Sequence, residues 1–395
     1  MPAWIGTFRN RTPINQFKQK GTGLIAGLAR TEHGRWVLSD ESDSIELEIN
    51  LPTDGPAYWL AIRFEGDDSC VVFQQPALGH SNTEALASRR PFHRQRAKII
   101  DAMRHWFLQQ GFLEVTTPVR VETPAIEPYL DALPSRDQWL RTSPELHMKR
   151  LLAAGPEPLF QFAPSFRDEP NSKLHRSEFT MLEWYRPFAD LEHLIDDVSG
   201  LLQAIAPFSE NPTWFSAKVD VKTVQGIFLE TCGLVLDERI DTLAAYCAQK
   251  HIHTHESDTW DDLFFRILLT QIEPNLGGER PLILRDYPAS QAALAKVALP
   301  GAGLHTCYRF ELYGMGVELA NAFYEVTDPQ EQLERIRQST AERAALGKET
   351  FPLDTSFLQA LQAGLPPCAG IALGVDRLVM LALGQSDLAQ HLHFP

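Results

Sequence analysis

Residues 160–187, FQFAPSFRDEPNSKLHRSEFTMLEWYRP, constrain the fold of this chain more than any other segment. They contain two alternating strand patterns separated by a polar, turn-rich stretch from Pro170 to Glu178. A strand turns successive side chains to opposite faces, so the segment predicts an antiparallel hairpin with one core face and one open face. The core face takes Phe160, Phe162, Phe166, Thr180, Leu182 and Trp184, and the open face takes Arg167, Glu169, Phe179, Met181, Glu183 and Tyr185.

The open face of this hairpin has the chemistry of a nucleotide site. The guanidinium of Arg167 can hold a phosphate through two hydrogen bonds, and the ring of Phe179 on the same sheet can lie against a purine. The alternative is an ordinary hairpin whose charged face forms salt bridges in solvent. This segment by itself is compatible with both interpretations.

Residues 311–325, ELYGMGVELANAFYE, predict a second hairpin that turns at Gly314-Met315-Gly316. Glu318 and Asn321 would point to opposite faces of a flat strand, so a β-bulge is needed if both serve one site. Carboxylates such as Glu318 and Glu325 suit Mg²⁺ that is shared with nucleotide phosphates, and a carboxylate can also bind a substrate ammonium. The simpler alternative is a charged strand edge.

Residues 370–380, GIALGVDRLVM, predict a strand that runs directly into an amphipathic helix. Gly370 and Gly374 permit a close approach of backbone or ligand. Arg377, fixed at the junction between strand and helix, can clamp the terminal phosphate of ATP. The alternating small residues followed by Asp-Arg carry more weight than a single G-x-x-x-G pattern.

The N-terminal part of the chain predicts a small β module. Short β-like runs lie at residues 24–26, 35–38, 45–49, 59–62 and 70–73, with Gly, Pro and Asp turns between them. Five short strands indicate a reduced barrel of the oligonucleotide-binding (OB) type. Residues 21–88 contain three Arg and Lys against eleven Asp and Glu. Because a nucleic-acid strand needs a positive groove, we interpret the module as a docking or stabilising domain.

The predicted domain organisation has four parts. Residues 1–20 form a basic tail, 21–78 the acidic β module, 79–90 a polar linker and 91–395 a large domain with a mainly helical insertion at about 191–276. The large domain opens with an amphipathic helix, whose apolar positions include Ile99, Met103 and Phe107, and residues 112–118 then predict a strand that ends at a proline. The basic segment at residues 89–98 is either a solvated helix start or a partner-docking patch.

Composition narrows the function classes. The formal charge of −15 weakens the case for an RNA partner, because phosphate neutralisation supplies most of the affinity of RNA-binding proteins. The five cysteines are scattered without a C-x-x-C pair, which argues for free thiols in a reducing cytoplasm and against a disulfide framework or a zinc site. No apolar run is long enough to predict a membrane span.

Together these segments resemble the three sequence motifs of class II aminoacyl-tRNA synthetases, in the expected order. Motif 1 matches the helix that ends in GFLEVTTPV, motif 2 matches FRDE…HRSEF, and motif 3 matches GIALGVDR. The segments TSPELHMKRLL, EFTMLEWYRP, YPASQAALA, ELANAFYEVTD and ALGVDRLVMLALG are similar to the lysine branch. Within that branch the chain resembles the elongation factor P–lysine ligases, the tRNA-independent paralogues of lysyl-tRNA synthetase, over roughly residues 91–389.

The resemblance implies an α+β fold with the class II synthetase catalytic core, an antiparallel sheet flanked by helices, working as a homodimer across motif 1. The co-substrate would be ATP with Mg²⁺. The implied catalytic residues are Arg167, Glu169 and Arg377, and the implied ATP-binding residues are these three with His175, Phe179, Glu318 and Gly374. The implied amino-acid-binding residues are Ser143, Glu145, Tyr185, Asn321, Glu325 and Ala372, and the implied metal ligands are Glu318 and Glu325.

Three features depart from the tRNA-charging lysyl enzymes. Ala372 stands where those enzymes usually have glycine, which alters the pocket floor and fits a β-lysine substrate. Ala322 replaces the glycine of ELANGF, and it would cost roughly 1 kcal/mol if the bulge there needs a positive φ. Arg176-Ser177 replaces the usual Asn-Pro in motif 2 and changes how that loop closes on ATP.

The function that the resemblance implies is activation of lysine or (R)-β-lysine to an aminoacyl-adenylate, followed by transfer to a lysine side chain of elongation factor P. A lysyl-tRNA synthetase that charges tRNA(Lys) is the alternative of the same class, and tRNA is the less favoured partner because a full basic anticodon domain is lacking. A producer of free adenylate for another small carrier is a further alternative. The alternative of another class is an inactive, synthetase-like binding or regulatory protein.

Overall fold

The computed structural model describes residues 12–20, 23–32, 35–40, 43–47, 57–65, 68–76, 89–124, 127–298 and 304–392. The chain divides into two compact units, Met1–Arg90 and Pro91–Pro395. Within the described residues, no helix is long and apolar enough to cross a bilayer. The thiols of Cys232, Cys247, Cys307 and Cys368 are free.

The first unit contains a short helix and a five-stranded antiparallel sheet. Helix α1 spans Ile14–Lys20, and the strands are β1 (Gly23–Glu32), β2 (Arg35–Ser39), β3 (Ser44–Leu47), β4 (Ala57–Glu65) and β5 (Asp68–Pro76). The strand order is β3-β2-β1-β4-β5. Each predicted β-run falls in one of these strands, apart from the end of the third run, which lies outside the described residues. The described strands form an open sheet, so the closure of a barrel is not shown.

Helix α1 occupies the end of the predicted basic tail. Its apolar side chains Ile14 and Phe17 are buried in the core of the sheet, and Lys18 forms an ion pair with Asp43 at 2.6 Å. The predicted linker at residues 79–90 lies almost entirely outside the described residues.

The second unit is built on an eight-stranded sheet in the order β12-β13-β14-β15-β16-β11-β10-β6. Its strands are β6 (Leu113–Glu114), β10 (Leu159–Phe166), β11 (Glu178–Pro187), β12 (Asp220–Thr223), β13 (Leu282–Arg285), β14 (Arg309–Gly314), β15 (Val317–Tyr324) and β16 (Cys368–Gly374). Strands β7 (Arg120–Val121), β8 (Pro134–Ser135) and β9 (Gln138–Leu140) form a separate small sheet. Strand pairing in the large sheet is antiparallel except between β6 and β10 and between β12 and β13.

Helices flank the large sheet. They are α2 (Arg90–Gln109), α3 (Glu145–Ala154), α4 (Leu191–Ile205), α5 (Pro212–Phe215), α6 (Val224–Cys232), α7 (Ile240–Gln249), α8 (Trp260–Ile267), α9 (Pro329–Ala345), α10 (Thr355–Gly364) and α11 (Val375–Ala382). The main core packs the apolar stripe of α2 against α4, α11 and the inner face of β10 and β11. The mixed architecture of helices on an antiparallel sheet confirms the predicted fold class of this unit.

The first predicted hairpin forms, and its faces agree with the prediction except that Thr180, predicted for the core face, lines the cavity. Strands β10 and β11 pair antiparallel from Leu159 opposite Tyr185 to Phe166 opposite Glu178. Phe160, Leu182 and Trp184 are buried in the main core. The prediction of a strand over residues 112–118 was too long, because only Leu113 and Glu114 pair with β10. Farther on, the carbonyl oxygen of Thr117 accepts a hydrogen bond from the buried Arg141 at 3.0 Å, so a side chain replaces the strand partner there.

The second predicted hairpin contains both the turn and the bulge. Met315 and Gly316 have φ values of 52° and 75°, the left-handed pair that a tight two-residue turn requires. The register shifts so that Tyr313 lies opposite Glu318 while Leu312 lies opposite Ala320. Leu319 is the extra residue, and it is buried with Ala320 in the core. The bulge therefore lets Glu318 and Asn321 face the same cavity.

Candidate active site

A cavity of about 450 Å³ opens on the face of the large sheet that the main helices leave uncovered. Its walls come from the β10–β11 hairpin, β15, β16 and the first turns of α3 and α11. All thirteen side chains and backbone positions predicted for the site line it: Ser143, Glu145, Arg167, Glu169, His175, Phe179, Tyr185, Glu318, Asn321, Glu325, Ala372, Gly374 and Arg377. The structure thus brings together residues that span more than half of the chain.

Arg377 marks one end of the cavity, in the first turn of α11. Its Nη1 donates to the backbone oxygen of Glu318 at 2.9 Å, and its Nε donates to the backbone oxygen of Leu174 at 3.2 Å. The Glu318 carboxylate lies 3.9 Å from the guanidinium. These contacts hold a permanent positive charge at a fixed position, as the clamp of an anionic group requires.

His175 forms part of the same end. Nη2 of Arg377 lies 2.9 Å from its Nε2, and Ser172 Oγ lies 3.0 Å from its Nδ1. Because a guanidinium has only donors, Nε2 accepts and the ring proton sits on Nδ1. Burial and then the Arg377 charge lower the pKa of His175, so the imidazole is neutral beside the arginine.

Arg167 and Phe179 face each other across the motif 2 hairpin. The guanidinium carbon of Arg167 lies 5.3 Å from the centre of the Phe179 ring. The backbone N–H of Arg167 donates to the oxygen of Ser177 at 3.0 Å, which closes the loop at its base. Nε of Arg167 is buried without a hydrogen-bond partner in the described residues. A buried donor without a partner is costly, so this side chain is prepared to receive an acceptor.

Arg176 and Ser177 form hydrogen bonds and an ion pair that stabilise the motif 2 loop. Nη1 of Arg176 donates to the oxygen of His175 at 2.8 Å, and its Nη2 lies 3.6 Å from Asp387. The backbone N–H of Ser177 donates to Asn171 at 3.3 Å. These contacts hold the loop in place, and the effect of the replacement on its closure over ATP stays a prediction.

Three carboxylates lie at the other end of the cavity, on Glu145, Glu183 and Glu325. Glu183 accepts hydrogen bonds from Ser143 Oγ at 2.6 Å and from the Tyr185 hydroxyl at 3.0 Å. Burial, with a contribution from the Glu145 charge, raises the pKa of Glu183 to about 8. Because ionisation of Glu183 is disfavoured there, this end of the cavity favours a ligand that supplies positive charge.

Lys149 supplies part of that charge. Its Nζ lies 2.5 Å from Glu145 and 2.5 Å from Glu325, and the side chain is almost fully buried. Burial alone would lower the pKa of Lys149, but the two carboxylates raise it, so the lysine remains charged. Glu183 is left without an ion-pair partner in the described residues, and the subsite keeps an excess of negative charge.

The floor of the cavity is made by β16. Its small residues Gly370, Ala372 and Gly374 face the cavity, while Ala369, Ile371 and Leu373 are buried in the core. A Cβ on Gly370 would lie 2.2 Å from the Tyr185 ring and 2.7 Å from Glu325, so only glycine fits. At Gly374 a Cβ would find its nearest neighbour at 3.8 Å, an ordinary contact. A close approach that requires glycine was expected at both positions, and the structure contains it only at Gly370.

Ala322 lies in the main core and carries no backbone strain. It follows the bulge, pairs regularly with Phe310 and Ile371, and does not adopt a positive φ. The condition for the strain cost of about 1 kcal/mol, a positive φ at Ala322, is therefore not met, because the extra residue of the bulge is Leu319.

One residue of the basic segment has a role that both predicted interpretations missed. Arg96 on α2 forms an ion pair with Asp376 at 2.7 Å, and both side chains are nearly buried. The other oxygen of Asp376 accepts from the backbone N–H of Thr180 at 2.8 Å. Arg96 thus ties the motif 1 helix to β11 and to the residue that precedes Arg377, which is a structural role inside the unit.

Residues 127–131 form the outer wall of the cavity and are anchored by α9 and the residues after it. Nη1 of Arg343 donates to the oxygen of Leu130 at 2.6 Å, and Lys348 and Arg343 both pair with Asp131. The hydroxyl of Tyr129 donates to Glu342 at 2.6 Å. This wall was not predicted, since charged residues on a helix are usually solvated.

Residues 87–395 match the family model for class II tRNA synthetases of the D, K and N type. The match includes the whole cavity and every strand of the large sheet. The chain belongs to the class II aminoacyl-tRNA synthetase family. Membership places it among ligases that use ATP.

Within this family, several curated relatives that cover most of the chain carry the same name. Elongation factor P–(R)-β-lysine ligase of Histophilus somni strain 2336 is 41% identical over 312 residues, which cover 76% of this chain and 93% of that protein. The ligase of the same name from Pasteurella multocida is 42% identical over 310 residues, again 76% of this chain and 93% of that protein. About a quarter of this chain therefore lies outside the region that aligns with these relatives.

The chemistry of ATP usually requires a divalent cation. No group of three or more metal-ligating side chains occurs among residues that the structure describes. Glu325 pairs with Lys149, whereas Glu318 lies beside Arg377, so the two predicted metal ligands have different neighbours and their binding of one ion stays a prediction.

Glu318 by itself fits a cation at the nucleotide end. Its carboxylate is 41% exposed to the cavity, and its low-dielectric surroundings, together with the Glu311 charge, raise its pKa to about 7. Mg²⁺ usually takes one or two carboxylates and completes its shell with phosphates and water. One protein carboxylate facing a phosphate-binding arginine agrees with that pattern.

Sequence reasoning missed three residues that shape this class II site: Glu183 as a binding group, Lys149 and Asp376. Glu183 was placed on the correct face of the hairpin but was not assigned to the pocket. Lys149 follows Glu145 by four residues in α3, a spacing that usually indicates a solvated surface pair. Only its burial in the structure distinguishes it from such a pair.

Proposed function

We propose that this chain activates (R)-β-lysine, or lysine, with ATP and transfers the acyl group to a lysine side chain of elongation factor P. The observation that carries the proposal is a two-ended cavity. Arg167 and Arg377 supply positive charge at one end. The carboxyl groups of Glu145, Glu183 and Glu325 lie at the other end, and Glu183 becomes ionised when a cationic ligand binds. The relatives named elongation factor P–(R)-β-lysine ligase support the choice of acceptor.

At the nucleotide end, Arg167 binds the α-phosphate and stabilises the charge that develops there. Its unpartnered Nε and its position over Phe179 support this role. Phe179 stacks on the adenine, and Arg377 grips the γ-phosphate. Glu169 and His175 hold the nucleotide, and Gly374 admits it beside Arg377. Glu318 binds Mg²⁺, which neutralises phosphate charge when bound.

At the amino-acid end, the carboxylates receive the two ammonium groups of the substrate. Lys149 already neutralises part of the charge of Glu145 and Glu325, so the remaining excess suits a diamino acid better than a monoamino acid. Ser143 and Tyr185 fix the Glu183 carboxylate. Ala372 and Asn321 are paired neighbours on β16 and β15, and they shape the floor near the substrate carboxylate.

The chemistry has two balanced steps. The substrate carboxylate attacks the α-phosphorus in line, a carboxylate–phosphate bond forms, and pyrophosphate leaves. The neutral amine of the acceptor lysine then attacks the acyl carbon, an amide bond forms as the nitrogen releases a proton to solvent, and AMP leaves with the bridging carboxylate oxygen. The residues contribute positioning and charge stabilisation, without a covalent enzyme intermediate.

Two further assignments extend the proposal. The first unit is an OB-type module, because β1 pairs with both β2 and β4, the order of a five-stranded barrel opened between β3 and β5. Its acidity favours a protein partner over nucleic acid.

The second unit forms a homodimer through motif 1, where Leu108 and Leu113 are about half exposed. Since the acceptor is a translation factor, the reaction belongs in the cytoplasm.

ATP–pyrophosphate exchange with lysine and (R)-β-lysine in parallel tests the activity, with transfer to elongation factor P and to tRNA(Lys) followed in the same preparation. We expect exchange that favours (R)-β-lysine and label on the protein alone. An Arg167→Ala variant serves as the inactive control. Charging of tRNA would instead identify a lysyl-tRNA synthetase, and absence of exchange with both amino acids would leave a binding protein as the better assignment.

The dimer and the first unit need separate measurements. Sedimentation of the full chain should give twice the 44.5 kDa mass, and a monomer would contradict the dimer. Removal of residues 1–86 should leave exchange unchanged if the first unit serves docking only. A loss of exchange in the folded, shortened chain would assign that unit to the chemistry.

A further inference from the structure

Arg309 on β14 lies directly behind the cavity wall without lining it. Its Nε donates to Oδ1 of Asn321 at 3.1 Å, and its Nη1 donates to the backbone oxygen of Gln291 at 2.7 Å. Its Nη2 donates to Glu311. The guanidinium is only 11% exposed, so every one of its three nitrogens is used within the protein.

The contacts around Glu311 fix the position of Arg309. One carboxylate oxygen of Glu311 accepts from the hydroxyls of Tyr287 at 2.5 Å and Tyr313 at 2.6 Å, while the other receives Arg309. The guanidinium carbon also lies 4.6 Å from the centre of the Tyr287 ring. Arg309 therefore has little freedom to move away from Asn321.

The contact between Arg309 and Asn321 determines which way the amide points. A guanidinium can only donate hydrogen bonds, whereas an amide has a carbonyl that accepts and an NH₂ group that donates. Arg309 therefore holds the amide oxygen of Asn321 against itself. The two N–H bonds of Asn321 are left for the cavity, where they suit an acceptor such as a carboxylate and not an ammonium group.

We propose that Arg309 is a positioning residue that fixes the Asn321 amide as a hydrogen-bond donor to the carboxylate of the bound amino acid. This inference rests on the proposed function, because that carboxylate is the group that attacks the α-phosphorus. Arg309 acts through Asn321, while Tyr287, Glu311 and Tyr313 hold Arg309 in place. Neither the sequence motifs nor the lining of the cavity points to Arg309.

The first test is Arg309→Lys, which keeps the charge opposite Glu311 but removes the planar fork. We expect the KM for the amino acid in pyrophosphate exchange to rise about tenfold, the effect of one hydrogen bond to a charged group, with the KM for ATP unchanged. Arg335→Lys is the matched control, because Arg335 donates to the oxygens of Ala293 and Ala295 and lies outside the cavity lining.

A double-mutant cycle separates positioning from a general structural role. In the Asn321→Ala background, Arg309→Lys should add less than about a threefold loss, because coupled residues are not additive. If the two effects on the KM multiply instead, the substitutions act independently, and the proposal is overturned. If Arg309→Lys does not fold, Tyr313→Phe replaces it in the same cycle, since it keeps the ion pair and removes one hydroxyl from Glu311.

A binding measurement makes the inference independent of turnover. Calorimetry would compare the amino acid with the amino alcohol in which a hydroxymethyl group replaces the carboxylate. We expect Arg309→Lys to weaken binding of the acid about tenfold and to leave binding of the alcohol unchanged. Equal weakening of both ligands in the variant would overturn the role of Arg309. If the expected difference between the two ligands is found but the wild-type protein shows no pyrophosphate exchange, only the proposed function is overturned.

Discussion

Gly370 provides the sharpest test of the amino-acid subsite. A Cβ at this position would lie 2.2 Å and 2.4 Å from two carbons of the Tyr185 ring and 2.7 Å from a carboxylate oxygen of Glu325. Carbon atoms in contact prefer about 3.5–4.0 Å, so in Gly370→Ala the ring must move by roughly 1 Å or more. That movement breaks the hydrogen bond from Tyr185 to Glu183.

The expected cost follows from these contacts. Overpacking costs about 1–3 kcal/mol, and a lost hydrogen bond to a charged group costs about 1.5–3 kcal/mol. If about 3 kcal/mol of the total appears in substrate binding, the KM for the amino acid rises roughly 100-fold. Pyrophosphate exchange at saturating ATP, with the amino acid varied, measures this change directly.

Gly155→Ala is the matched control for Gly370→Ala. Gly155 follows helix α3, has extended backbone with φ of −164°, and a Cβ there would have no neighbour within 4 Å in the described part of the chain. Its KM should stay within about twofold of the wild type. A Gly370→Ala enzyme whose KM also stays within about threefold of the wild type would refute the packing argument and the placement of Tyr185 in the subsite.

Four further expectations concern the two ends of the cavity. Arg96→Ala leaves the buried Asp376 unpaired, so denaturant unfolding should show a loss of about 3–5 kcal/mol; a loss below about 1 kcal/mol would contradict this role. The raised pKa of Glu183, about 8, means that the folded protein binds this proton more tightly than the unfolded chain, so its contribution to stability falls as pH rises from about 4.5 to about 8. A diamino acid binds the ionised form of Glu183, so the KM for the amino acid should fall as pH rises from about 6 to about 8. Glu183→Gln should flatten this pH dependence of KM. If the variant keeps the wild-type pH profile, Glu183 is not the group that causes it. Glu318→Gln should raise the Mg²⁺ concentration for half-maximal exchange about tenfold, and an unchanged Mg²⁺ titration would remove Glu318 from the metal site. Phe179→Ala should raise the KM for ATP about fivefold through lost stacking, while an effect on the amino acid alone would place the ring elsewhere.

Local sequence pattern determined the elements that carry the chemistry. Alternation alone placed Leu182 and Trp184 in the core and Glu183 and Tyr185 on the open face, because a strand has a fixed period of two. The same rule required a bulge before Asn321, and the register of β14 and β15 contains it. The resemblance to a known family then predicted which residues share one cavity, although several of them, such as Ser143, Arg167 and His175, lie in loops.

The tertiary structure decided how charges and space are shared within that cavity. Lys149 and Arg96 look like solvated surface residues in the sequence, and only the packing of α3 and α2 against the sheet buries them beside carboxylates. The need for glycine at Gly370 depends on the position of Tyr185, which comes from another strand. Burial, ion pairing and contact distances are properties of segments far apart in the chain, so no local pattern could determine them.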